Sequence, residues 1–178
     1  MKNFKEEVEN FSKSVDFKAN NYQVCLETNH GNITIDLFAD RAPKHCLNFI
    51  SLVKSGFYDN LTFHRIISGF VIQAGCPDGN GMGGPGYMID AEFNDYPHDL
   101  GVLSMARAQD PNSAGSQFFI CLGRVTHLDG NYTAFGKVAD EAGLEVVKKI
   151  GASRTGAGDE QLEKVFIKKG LLIETKKN

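Results

Sequence analysis

Between Phe63 and Gln73 the chain reads Phe63-His64-Arg65-Ile66-Ile67-Ser68-Gly69-Phe70-Val71-Ile72-Gln73, which sets an arginine and a glutamine among bulky apolar side chains. An unpaired guanidinium in an apolar interior costs several kcal/mol, so Arg65 is expected to pair with a partner, to reach water or to line a groove awaiting a ligand. A paired structural arginine is the plain reading. The alternative takes Arg65 together with Phe70, Gln73, Gln117, Phe118 or Phe119, and Leu128 as an apolar surface with a few donors, which suits a peptide. One reaction on such a surface needs no nucleophile, base, metal or cofactor: rotation about an X-Pro peptide bond, whose barrier is about 18 to 20 kcal/mol because twisting destroys amide resonance. The twisted amide is less polar than the planar one, and its nitrogen regains a lone pair. An apolar groove with an arginine donor aimed at that nitrogen therefore binds the transition state better than the ground state.

Other chemistries find less support. A hydrolase needs a nucleophile beside an oriented base. His64 alternates to the face opposite Arg65, Ser104 and Ser116 lie in no G-x-S-x-G, and Cys121 sits in an apolar run where a thiolate is disfavoured. His30, His45, His98 and His127 show no metal-ligand spacing and read as surface histidines, so no metal is expected. Gly79-x-Gly81-x-x-Gly84 has the letters of a dinucleotide fingerprint, but Pro85-Gly86 follows where a helix should begin and no βαβ pattern surrounds it.

Composition narrows the partners. The 178 residues are 42% hydrophobic and 23% charged, with a net charge of −3, which is ordinary for one soluble domain and gives no footprint for nucleic acid or an anionic membrane. No apolar run reaches transmembrane length. Cys25, Cys46, Cys76 and Cys121 form no C-x-x-C pair and the N-terminus is charged, so reduced thiols and a cytoplasmic location are expected. On that reading the N-x-[ST] matches at Asn10, Asn32, Asn60 and Asn131 are chance occurrences.

The elements that must position Arg65 follow from periodicity and punctuation. Phe4, Val8, Phe11 and Val15 share a helical face within a polar stretch, predicting a short amphipathic helix in an N-terminal extension, residues 1–20. Tyr22 to Leu26 and Ile33 to Phe38 flank turn residues as a hairpin does. Pro43 and Gly56 bound a helix over 43–55, and Asp140 to Ile150 is a second one, ended by Gly151. Two short strands broken at Ser68-Gly69, three more at 101–105, 117–122 and 133–138, and a last one at 165–173 complete the set, with a long glycine-rich loop over 75–86. Many short strands, isolated helices and no βαβ alternation predict a mainly β fold, a closed antiparallel barrel or sandwich without exposed edges.

The same residues carry a family resemblance. Phe63-His64-Arg65-Ile66-Ile67, Gly69-Phe70-x-Ile72-Gln73-x-Gly75, Ser104-Met105-Ala106, Gly115-Ser116-Gln117-Phe118-Phe119-Ile120, Leu128-Asp129-Gly130 and Phe135-Gly136-Lys137-Val138 resemble the cyclophilin signatures in order and spacing, from about Tyr22 to Ile173. The resemblance implies a peptidyl-prolyl cis-trans isomerase on a closed eight-stranded antiparallel β-barrel capped by two α-helices, over residues 21–175, working as a monomer without a cofactor on proline-containing peptides and partly folded proteins. It assigns Arg65 as the catalytic arginine, Gln73 and Gln117 as its support, and Phe70, Val71, Phe119 and Leu128 as the proline pocket. Ala106 and Arg107 would pair with the residues before proline. Strict alternation sends Phe70 and Gln73 to opposite faces, so their joint membership implies a bulge. The chain departs from the common pattern at Arg107 (often asparagine), His127 (often tryptophan), Tyr132 (often histidine) and Ser68 (often proline). The loss of a large ring at His127 predicts weak binding of cyclosporin, the cyclic peptide inhibitor associated with the family. A domain that holds proline segments without turning them over is the competing reading.

Overall fold

The computed structural model describes residues 2–178. Its helices are α1 (Phe4–Ser12), α2 (Pro43–Lys54) and α3 (Glu141–Gly151), and its strands are β1 (Asn20–Thr28), β2 (Gly31–Leu37), β3 (Arg65–Ile67), β4 (Val71–Ala74), β5 (Val102–Met105), β6 (Phe118–Cys121), β7 (Ala134–Val138) and β8 (Ile167–Lys176). A single 3-10 turn spans Thr126–Leu128. The three helices and all the strands fall within a few residues of their sequence-based positions.

The helix ends explain why they hold. The Asn3 side chain accepts from the Glu6 N–H to cap α1, and Asp140 accepts from Gly143 N–H at 2.7 Å to cap α3. Helix α2 has Pro43 in its first turn, where φ is already helical, and the carboxylate of Glu92 from a distant loop accepts from the Lys44 and His45 N–H groups. Val8 of α1 is buried and Phe4 packs edge-on to Phe57 just beyond α2, with ring centroids 5.0 Å apart, so the N-terminal extension is docked.

All eight strands join one antiparallel sheet in the order β3-β4-β6-β5-β7-β2-β1-β8. The closed barrel expected from the sequence is corrected: no ladder joins the terminal strands β3 and β8, and the sheet is an open half-barrel. The chain just before β3 meets the start of β8 in an isolated antiparallel bridge, Thr62 to Phe166, where Asn60 N–H and Phe63 N–H donate to the carbonyls of Ile167 and Val165 and Ile167 N–H donates to that of Leu61. Beyond that bridge the edge of β3 is met by a loop instead, Ile66 N–H donating to the Asp159 carbonyl at 2.8 Å, and the strand ends where the chain turns at Ser68–Phe70 with Gly69 at φ +71°.

The core lies inside the curl. Ile66, Ile72, Leu103, Phe118, Ile120 and Phe135 point into it, and Phe49 of α2 reaches rings of both Phe118 (5.4 Å) and Phe135 (5.2 Å). Fully buried Tyr58 satisfies its hydroxyl by donating to the Ser116 carbonyl at 2.8 Å. Two histidines read as surface residues are in fact fully buried, His45 and His98. Each gained a carboxylate partner from a distant loop, Glu92 and Asp129, which makes burial affordable.

Candidate functional site

The site is built on the outer face of the sheet. In the ladders Arg65 pairs with Gln73, Gln73 with Phe119, and Phe119 with Ser104, a straight row across β3, β4, β6 and β5. Cross-strand partners share a face, and the neighbours Ile66, Ile72 and Ile120 therefore belong to the opposite, inner face. The β3–β4 register is unbroken, so the bulge expected from strict alternation is absent. Phe70 belongs to the turn before β4, its N–H donating to the Ile67 carbonyl at 3.0 Å, and alternation does not constrain it.

On this face Val71, Phe119, Cys121, Val125 and Leu128 form a second apolar cluster, separate from the core, with Phe70, Ala106 and Tyr132 packed against it. A cavity of about 150 Å³ opens there, lined by Arg65, Phe70, Val71, Gln73, Ala106, Arg107, Phe119, Leu128 and Tyr132. Cavities of that order admit a ring of about benzene's size. Arg65 is exposed, contrary to the buried environment its apolar neighbours suggested, and its guanidinium makes no ion pair or hydrogen bond among the described residues. Of the three expectations for it, pairing with a partner does not hold among the described residues: the guanidinium reaches water at the wall of the cavity.

Two predicted site residues stand beside the cavity instead of in its wall. Gln117 is fully committed: its Oε1 accepts from Gln73 Nε2 at 3.0 Å, and its own Nε2 donates to the carbonyls of Gly81 (2.9 Å) and Gly83 (2.8 Å). It thus ties the glycine-rich loop to β4. His127 is exposed at the rim, its ring stacked on Phe70 at 5.9 Å and 15°. Tyr132 meets Phe119 edge-on at 5.7 Å, and Arg107 lies over the Tyr132 ring at 4.5 Å while donating to the carbonyls of Ala108, Gln109 and Asn131. The Ala106 carbonyl and the Arg107 N–H have no backbone partner among the described residues, which leaves an edge for an extended chain.

The model of the cyclophilin type peptidyl-prolyl cis-trans isomerase/CLD family matches residues 23–170. The chain belongs to the cyclophilins. It is 52% identical over 128 residues to a peptidyl-prolyl cis-trans isomerase of Synechococcus elongatus, covering 72% of this chain and 88% of the relative. An isomerase of Schizosaccharomyces pombe is 45% identical over 156 residues, 84% of this chain and 98% of its own. Among solved structures, a Cryptosporidium parvum cyclophilin type isomerase studied in the presence of the dipeptide Ala-Pro superposes with a TM-score of 0.80 at 37% identity, over 85% of this chain and 98% of that one. The protein is accordingly a peptidyl-prolyl cis-trans isomerase.

Behind the cyclophilin groove lies an array that reading the sequence did not find. His98 Nδ1 is 3.1 Å from Asp129 Oδ1, its Nε2 is 2.9 Å from Ser104 Oγ, and the ring stacks on Phe119 at 6.3 Å and 24°. Burial pushes the imidazole below its ordinary pKa, with Asp129 opposing, so it is neutral near pH 7: the Nδ1–H donates to Asp129 and Nε2 accepts from the Ser104 hydroxyl. The Arg124 guanidinium, with the His98 backbone N–H, holds the Asp129 carboxyl well below the usual carboxylate range. Ser104, His98 and Asp129 have the composition of a hydrolytic triad. Ser104 is fully buried, however, and its position in the row beside Phe119 makes it part of the scaffold. Sequence separation of 31 residues between His98 and Asp129 hid the pairing; the adjacency of Asp129 to Leu128 was the available signal. His64, next to Arg65, is also lowered, chiefly by burial and then by the Arg65 charge.

Proposed function

We propose that this cyclophilin turns X-Pro bonds by a non-covalent mechanism in which Arg65 donates a hydrogen bond to the prolyl nitrogen as it becomes pyramidal. The observation that carries the reading is an unpaired guanidinium at the wall of a ring-sized cavity that Phe70, Val71, Phe119 and Leu128 also line. The proline ring enters between Phe70, Val71, Phe119 and Leu128, and the residues before it run along the free backbone edge at Ala106 and Arg107. Gln73, beside Arg65 in the ladder, keeps its Oε1 free to accept from the substrate backbone, while Gln117 fixes Gln73 in place. His127 and Tyr132 shape the rim.

The energetics are in proportion. Bringing a barrier near 19 kcal/mol to a turnover of about 10³ per second takes roughly 5 to 6 kcal/mol. A charge-assisted hydrogen bond made only in the transition state contributes about 1.5 to 3 of that, and desolvation with orientation in the cavity supplies the remainder. The substrates are proline-containing peptides and partly folded chains, and the enzyme assists folding as a monomer, since one chain completes the groove. Residues 21–175 form the isomerase unit, and four free cysteines suit a reducing cytoplasm.

A protease-coupled assay on an Ala-Ala-Pro-Phe peptide tests this, paired with titration of the same peptide by NMR. Acceleration of the cis-to-trans phase in proportion to enzyme is the expected result. Saturable binding at the groove with no acceleration would make the protein a binding module.

A further inference from the structure

The cavity at Arg65 adjoins a second one of about 320 Å³, and the two share Gln73, Ala106 and Arg107 as their common wall. No aspartate or glutamate lines either cavity, although the chain as a whole carries a net charge of −3. The charges that do line them are Arg65 and Arg107, and neither is ion-paired among the described residues.

Arg107 differs from Arg65 in being fixed. Its Nε and Nη2 donate to the Asn131 carbonyl, its Nη1 to those of Ala108 and Gln109, and its plane lies over the Tyr132 ring with Phe93 at 5.9 Å. Every one of these partners is neutral, so the guanidinium keeps its unit charge while losing its freedom to swing away. A preorganised cation costs no reorganisation when an anion arrives, and its field acts over a groove whose walls are otherwise apolar or uncharged.

We propose that this groove selects proline segments that carry an acidic side chain shortly before the proline, and that Arg107 is the residue that sets the preference. The inference rests on the isomerase reading, because that reading lays the residues before proline along Ala106 and Arg107. The carboxylate is held by charge across the shared wall, and since four of the five guanidinium N–H groups are already engaged, the interaction is mainly long-range and screened by salt. A lysine in the same place is disfavoured by the same field.

The test uses three peptides, Ala-Glu-Ala-Pro-Phe, Ala-Gln-Ala-Pro-Phe and Ala-Lys-Ala-Pro-Phe. The variable residue is kept one place away from the isomerising bond, so that the uncatalysed rates stay matched. At low ionic strength kcat/KM should fall in the order Glu, Gln, Lys, with about a threefold to tenfold step at each, shrinking below about twofold in 0.5 M NaCl. Arg107→Gln should collapse the Glu-to-Lys ratio and Arg107→Lys should keep most of it. The ratio is measured on one preparation, so a partly folded variant does not distort it. Equal rates on the three peptides at low salt, or a ratio unchanged in Arg107→Gln, would overturn the proposal while leaving the isomerase reading intact. Absence of turnover on all three would overturn both.

Discussion

His98 Nε2 lies 2.9 Å from the hydroxyl of Ser104, and the same imidazole ring stacks on Phe119, so a buried histidine braces a groove residue from behind. His45, bonded to Glu92 with its Nε2 unpartnered, is buried in the same way, and burial lowers its pKa as well.

For both histidines the folded pKa lies below the unfolded one, near 6.5, so the unfolded chain binds more protons as the pH falls. Their contribution to stability is complete above about pH 6.5 and is lost progressively as the pH drops toward the folded values. Urea unfolding followed from pH 7.5 to pH 5 should show a falling midpoint. The slope should be shallower in His98→Asn, which also costs roughly 1 to 3 kcal/mol by leaving the Ser104 hydroxyl without its partner. An identical pH slope in that variant would remove His98 from the linkage.

Arg65 is exposed and unpaired, so its side chain contributes little to folding. Arg65→Ala should leave the melting temperature within about a degree or two and lower kcat/KM by about tenfold to a hundredfold, the worth of a bond of roughly 1.5 to 3 kcal/mol. A folded Arg65→Ala enzyme with native kinetics would refute the arginine mechanism.

His127 bears on inhibitor binding. An indole in its place would extend the stacked surface over Phe70 by roughly 40 to 80 Å², worth about 1 to 2 kcal/mol at roughly 25 cal/mol per Å². His127→Trp should tighten cyclosporin at least about tenfold and alter proline-peptide turnover only a few fold, because His127 lies at the rim and outside the lining of the ring-sized cavity. Calorimetric titration of the two proteins decides it, and equal affinities would show that His127 does not set inhibitor affinity.

Helix α1 docks through Val8 and Phe4 and lines no part of the groove. Removing residues 2–12 should cost roughly 2 to 4 kcal/mol of apolar burial, lowering the melting temperature by about 5 to 15 °C, with kcat/KM unchanged at 20 °C. An unaltered melting curve would mean that the docking of α1 adds nothing to stability.

Much of this architecture was legible because it is written locally. Pro43 and Asp140 open their helices where turn chemistry says they should, and Ser68-Gly69 breaks β3 from β4. What the sequence hid is non-local. Closure depended on whether β3 and β8, far apart in sequence and at opposite ends of the sheet, could form a ladder, and no periodicity reports that. Arg65 looked interior because its neighbours Ile66 and Phe63 are interior, while its own face is decided by register with Gln73. His45 and His98 looked exposed because their carboxylate partners lie 47 and 31 residues away. Around the cavity, Arg65, Gln73 and Phe119 share one face of the sheet, and Phe70 reaches it from a turn where a bulge was expected.

The unbroken row from Arg65 to Ser104 has one more consequence. Groove and core share the same strands at alternate residues, so a slip of one residue in β4 would bring Gln73 inward and turn Ile72 out to water. A misregistered molecule would lose the Arg65–Gln73–Phe119 face and acquire a sticky one in the same event. Inactive copies of the isomerase would thereby be marked by an exposed apolar surface that active ones keep covered.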